Sequence, residues 1–157
     1  MIFILQAMIR SLTAFTIICA SILAGETSAQ DANNPQEIMI RSAGDVSLEE
    51  YVWQSRPLIV LANGPDDPRF KRQMELIADG AEALIERDVV VITDTDPAMQ
   101  SPVRGMLRPR DFMLVLLAKD GTVVLRKPRP WDMREVRRAI DKLPLRQQEI
   151  REELHKE

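Results

Sequence analysis

Leu58-Ile59-Val60-Leu61-Ala62-Asn63-Gly64-Pro65-Asp66-Asp67-Pro68-Arg69-Phe70 is the stretch that decides the fold. Its first five residues are apolar and do not alternate with polar ones, so a strand here is buried on both faces. Asn63-Gly64-Pro65 breaks the strand. Asp67 then offers a helix cap, and Pro68 suits the first helical position, where a missing N–H is no loss. Phe70, Met74, Ile77, Ala78, Ala81, Leu84 and Ile85 follow at spacings of three and four and form one apolar helix face. Gly80 weakens the middle of that helix by about 1 kcal/mol relative to alanine.

Two more runs match the first strand in length and character. They are Val89-Val90-Val91-Ile92 and Phe112-Met113-Leu114-Val115-Leu116-Leu117. Strands without alternation call for a sheet covered by helices above and below. Thr122 to Arg126 is mixed and reads as an edge strand. Lys119-Asp120-Gly121 joins it to the third run, and Asp-Gly is a strong hairpin signal because glycine accepts positive φ. Ser47-Leu48-Glu49-Glu50 fits a capping box at the start of a short helix from Leu48 to about Gln54, limited by Pro57. Glu37 to Arg41 suggests a short edge strand. A later helix runs from about Asp132 to Asp141, with Met133, Val136 and Ile140 inward and Pro144 ending it. Leu145 to His155 forms a last helix with a thin apolar face. A β-α-β unit, a hairpin and a closing helix make a thioredoxin-like three-layer α/β/α sandwich around a mixed sheet, with a right-handed crossover.

The start of the chain reads as an export signal. Arg10 is the only charge before Glu26, and an apolar core from Leu12 to Ala24 lies between them. Thr27-Ser28-Ala29 supplies a small-x-small site, so cleavage is expected after Ala29. Met8 is an alternative initiator. The apolar tract uninterrupted by Arg10 is shorter than the roughly 20 residues that span a bilayer. The expected organisation is a signal peptide at 1–29, a flexible leader at 30–44, a thioredoxin-like domain at 45–143 and a helical tail at 144–157. The exported chain is then periplasmic or extracellular, with no stable membrane span after processing. Removing residues 1–29 takes one base and one acid, so the net charge stays −3. Such a balance gives no ground for nucleic-acid binding.

Cys19 is the only cysteine and lies inside the expected signal. In thioredoxin-like enzymes the reactive thiol sits between the first central strand and its helix, where the helix N-terminus stabilises a thiolate. Here Asp66 and Asp67 occupy that junction. The simplest reading is that they cap the helix. The sharper alternative is cation binding or acid/base work, with Asp94 and Asp96 approaching from the second strand's end. His155, the sole histidine, stands among charges near the C-terminus, which removes histidine-based triads and zinc sites. Arg104, Arg108 and Arg110, with Arg126, Lys127, Arg129, Arg134, Arg137 and Arg138, form a basic concentration in an acidic chain. It is a solvated face with internal ion pairs, or a surface for an acidic partner, a phosphate or an anionic lipid.

Four segments together resemble a known family. They are Tyr51-Val52-Trp53-Gln54-Ser55-Arg56-Pro57-Leu58-Ile59-Val60, Glu86-Arg87-Asp88-Val89-Val90-Val91, Leu117-Ala118-Lys119-Asp120-Gly121, and Ile140-Asp141-Lys142-Leu143-Pro144-Leu145-Arg146-Gln147-Gln148-Glu149-Ile150-Arg151. The combination resembles the peroxiredoxin-like domain of unknown function of exported bacterial proteins, which also occurs in animal matrix proteins such as equarin and the sushi-repeat-containing proteins. The resemblance covers about residues 45–154. It implies a thioredoxin-like fold and an extracytoplasmic setting, and no established activity. The matching positions lack a peroxiredoxin's cysteine and the threonine and proline around it. Pro109 stands three residues before Phe112, not directly before the third strand where thioredoxins keep a proline.

Asp66, Asp67, Arg87, Lys119 and Arg146 are the candidate binding residues; no catalytic residue, metal or cofactor is expected. Arg146 and Glu149 can pair along the last helix, worth a few tenths of a kcal/mol if exposed. Arg146 is instead expected to tether the tail by reaching a buried carboxylate or carbonyl. The expected function is a non-catalytic exported module that binds a protein or envelope component. The alternatives are an enzyme using Asp66, Asp67, Arg87 or Lys119 in a non-thiol reaction, and a degenerate peroxiredoxin-like redox protein.

Overall fold

The structure, a computed structural model, describes residues 37–155. The expected export signal and the leader up to residue 36 lie outside the described residues. Five strands form one sheet: β1 (Ile40–Ser42), β2 (Arg56–Leu61), β3 (Val89–Asp94), β4 (Met113–Leu117) and β5 (Val123–Lys127). Their order across the sheet is β1-β3-β2-β4-β5. β1 and β2 both run parallel to β3, while β4 is antiparallel to β2 and to β5. A parallel β-α-β unit extended by an antiparallel hairpin on its inner strand is the topology of the thioredoxin-like fold.

The three apolar runs supply the three central strands. All six residues of β2 are buried, as the lack of alternation requires. Alternate residues serve opposite faces. Leu58, Val60, Val91, Leu114 and Leu116 meet Ile77, Leu84, Met133, Val136 and Ile140 on one side. Ile59, Leu61, Ile92, Val115 and Leu117 meet Leu48, Val103 and Leu107 on the other. The first face carries α1 (Pro68–Asp79), α2 (Ala81–Ile85) and α4 (Met133–Asp141). Among the described residues, the second has only a 3-10 turn at Leu48–Tyr51 and the short α3 (Pro102–Leu107). The third layer of the sandwich is therefore thin.

Four of the expected elements change form or bounds. The helix expected from Leu48 to Gln54 is a single 3-10 turn, because Trp53 adopts a left-handed φ of 64° and Arg56 already belongs to β2. Glu50 accepts from the Ser47 N–H at 3.3 Å, one arm of the capping box, and the Ser47 hydroxyl donates to Glu49. The long helix after β2 breaks at Gly80, which ends α1 and starts α2. An added Cβ there would lie 2.7 Å from the Met133 Cβ, so the close approach of α4 requires glycine. Pro144 does not only end α4. It is the first residue of α5 (Pro144–Leu154), where its missing N–H is harmless. β1 lies at Ile40–Ser42, shifted from the expected 37–41 and inside the segment read as leader.

The hairpin forms as the Asp-Gly pair predicts. Gly121 takes φ +81°, and Asp120 accepts from the Thr122 N–H at 2.9 Å. α3 is an element the sequence reading lacked. Ser101 caps it by accepting from Arg104 N at 3.1 Å, and Pro102 is its first residue. Among the described residues, no helix is long and apolar enough to cross a membrane.

Candidate functional site

The junction after β2 is the place where this fold positions reactive groups, since β2 and β3 both end there. Three segments meet around it: 63–69, the lead into β4, and the loop from β5 to α4. Asp67 caps α1, accepting from Arg69 N at 2.8 Å. The Arg69 guanidinium folds back on the same carboxylate, donating through Nε at 3.0 Å and Nη2 at 2.7 Å. Its remaining nitrogen reaches Asp111 at 2.7 Å, on the lead into β4. Asn63 also donates to Asp111, at 3.1 Å. The Arg69 guanidinium lies 5.8 Å from the centre of the Phe112 ring. One cation is thus held between two carboxylates across the junction.

The electrostatics follow from that geometry. The hydrogen bond from Arg69 holds the Asp67 carboxyl below its ordinary range, and the same donor lowers Asp111. Asp67 and Asp111 in turn raise the guanidinium further above its usual value. The cation between them thus favours the charged form of both carboxylates. Asp66 points outward and pairs with Lys71 at 2.7 Å.

Asp94 and Asp96 do not join Asp66 and Asp67. Asp94 is buried and binds Arg104 at 2.8 Å and the Ser101 hydroxyl at 2.5 Å. Burial opposes its ionisation, but hydrogen bonds from Arg104 and Ser101 outweigh burial and leave its pKa lowered. Arg104 also donates to the Ala62 carbonyl at 2.7 Å and the Asp94 carbonyl at 3.1 Å. It clamps the ends of β2 and β3 side by side. Asp96 turns to its own backbone, accepting from Ala98 N. Among the described residues, no three histidine, cysteine or acidic side chains are grouped to hold a metal ion.

Arg87, Lys119 and Arg146 lie at the opposite end of β2, about 20 Å away for a strand of this length. The five candidate residues therefore form two groups, not one site. Arg87 closes α2 onto α4, donating to Asp141 at 2.8 Å and to the Ala83 carbonyl at 2.8 Å. Lys119 bridges Asp88 at 2.7 Å and Glu149 at 2.9 Å. Arg146 is buried but stays within its own helix, pairing with Glu149 at 3.3 Å and Glu153 at 3.4 Å. The tether of the tail is a different residue. Arg56, with no solvent exposure, donates to both oxygens of Glu149 at 2.9 Å and to the Arg87 carbonyl at 2.8 Å.

Sequence reasoning missed Arg56, Arg69 and Asp111, and gave Glu149 only its pairing with Arg146, which forms at 3.3 Å. An arginine just before Pro57 reads as a loop residue, and no local pattern reports that it is wholly buried. Gln73 was missed too. It is fully buried on α1 and binds the Trp131 backbone twice, accepting from its N–H at 2.8 Å and donating to its carbonyl at 3.3 Å. Two polar bonds to one residue fix the loop between β5 and α4 against the junction. Trp131 in that loop carries Lys127 over its ring, 3.9 Å from the centre.

The fold and this junction define a thioredoxin-like domain whose thiol position is filled by an ion pair. The chain belongs to the family described as a domain of unknown function (DUF4174), which matches residues 47–149. Among solved structures that match is thioredoxin peroxidase I of Plasmodium yoelii, with a TM-score of 0.47 and 14% identity over 66% of this chain and 80% of that one. No curated protein matches the chain.

Proposed function

We propose that this chain is a non-catalytic binding module of the cell envelope, exported and working outside the cytoplasm. The observation that carries the reading is the Asp67–Arg69–Asp111 arrangement at the junction. A reactive site keeps a nucleophile or base free for substrate. This junction spends its charged groups on each other. The scaffold keeps its positioning devices, the Arg104 clamp and the Gln73 bridge, around a place with no sulfur.

The same end of the sheet offers a surface for a partner. Arg108 and Arg110 precede β4, and Arg126, Lys127 and Arg129 leave β5, beside the exposed loop that holds Trp131. In a chain of net charge −3, that local excess of positive charge favours an acidic partner.

Cross-linking in the exporting cell, followed by mass spectrometry, tests the reading. A reproducible acidic partner, joined through residues near Trp131, is the expected result. Repeated isolation with a small molecule at the junction, with turnover of that molecule, would overturn it.

A further inference from the structure

We infer that the open edge of β5 takes an added strand from an acidic, extended peptide segment of the partner. The inference rests on the binding reading above and names its surface and its ligand chemistry.

β5 is the last strand of the sheet, and only β4 pairs with it. Among the described residues, no backbone group outside β4 and the hairpin bonds to residues 123–127. Unpaired N–H and C=O groups along a strand are a template for another extended chain. The other edge, β1, has only three residues. β5 has five, and Val123 at its start is 49% exposed.

Charge selects the occupant. Arg126 and Lys127 end β5, and Arg129 follows. The ion pairs around the junction use Arg69, Lys71, Arg104 and Arg134. Arg126, Lys127 and Arg129 have no carboxylate partner among the described residues. Arg126 donates to the Leu107 carbonyl and lies 3.1 Å from the Met113 sulfur, while Lys127 rests on Trp131. Both cations are held in place with their charge uncompensated. A second copy of this chain brings another strand of net positive charge to the seam, whereas an acidic strand brings the complementary charge.

The two faces of β5 specify a pattern. Val123 and Arg126 lie on the thinly covered face with Leu117 and Val115, and Leu125 and Lys127 lie on the helix face with Leu116 and Leu114. A register shift at Val124 adds a second apolar residue to the helix face, so each face offers apolar surface followed by one cationic position. The matching strand therefore carries paired apolar residues followed by paired acids, so that each face receives one of each.

The test uses the intact protein and a synthetic peptide, Val-Val-Glu-Glu repeated twice, with lysine replacing glutamate in a control peptide. Backbone hydrogen exchange and titration are followed at low and high salt. The expected result is slowed exchange at residues 122–127, affinity that falls with salt, and no binding of the lysine peptide. Arg126→Glu with Lys127→Glu is expected to weaken binding at least about tenfold. Arg129→Glu, at an exposed side chain whose guanidinium lies 6.0 Å from the centre of the Trp131 ring, is expected to weaken it less. Equal binding of both peptides, protection elsewhere than β5, or protection that depends on protein concentration without peptide would overturn the inference. Capture of an acidic partner with β5 unprotected would overturn it and leave the binding reading standing.

Discussion

Arg56 and Glu149 stand 93 residues apart in sequence and share two hydrogen bonds of 2.9 Å, on a guanidinium with no exposure to solvent. This pair fixes α5 to the start of β2. The helix needs it, because its apolar face is thin and it presents few residues to the core. Arg146 and Lys119 complete the grip on Glu149 from two sides.

Arg56→Met is therefore expected to destabilise the protein by about 1.5–3 kcal/mol, since it removes two charge-assisted hydrogen bonds to Glu149 while Lys119 and Arg146 still pair with that carboxylate. Combining it with Glu149→Leu is expected to cost less than the two single changes added together. Urea denaturation of the four proteins measures this. Strict additivity would show that the pair does not hold the helix.

Acid is expected to release the same helix. Burial opposes the Glu149 charge, yet hydrogen bonds from Lys119 and Arg56 leave its pKa lowered in the folded state. Asp94 is lowered in the same way. A group with a depressed folded value stabilises fully above its unfolded value and loses that contribution as pH falls through the folded one. Stability should thus be flat near neutrality and decline below about pH 4. Glu149→Gln should flatten part of that decline, as followed by thermal melts across pH.

Gly80→Ala is expected to destabilise, although alanine is the better helix former by about 1 kcal/mol. The new methyl would meet the Met133 Cβ at 2.7 Å, and forcing it in costs about 1–3 kcal/mol. Met133→Gly in the same chain, which deletes that Cβ, should remove the clash and lower the added cost of alanine at position 80. A more stable single variant would show that α4 yields freely.

Asp67→Ala removes both the cap of α1 and one side of the Arg69 clasp, so its thermal midpoint should fall. Asp67→Asn keeps a capping oxygen and loses the charge, so its fall should be smaller. Neither change is expected to alter binding of an acidic partner at β5. Loss of binding with either would move the functional surface to the junction.

The parts of the fold that were legible in sequence are those whose signal is local. Leu58–Ala62, Val89–Ile92 and Phe112–Leu117 announce buried strands by continuous apolar character, and Asp120-Gly121 announces its turn. Asp67 and Pro68 announce the start of α1. What was hidden depends on partners far along the chain. Gly80 looked like a weak point in one helix because Met133 lies on another element. α3 was hidden by Gly105 and its six-residue length, though Ser101-Pro102 was a usable start signal. The candidate site was half legible. Asp67 was found as a cap, but its clasp on Arg69 and Asp111 needs the lead into β4 beside it. Arg146 drew attention as the tether because it follows the Leu143-Pro144-Leu145 break, whereas Arg56, packed beneath the helix, does that work.

The central claim is that this thioredoxin-like chain works without a thiol at its junction. The most direct measurement is peroxide consumption by the purified protein with a dithiol reductant supplied, alongside Cys19→Ser. The account expects no turnover above buffer for either protein. Turnover by the native chain that Cys19→Ser abolishes would contradict it.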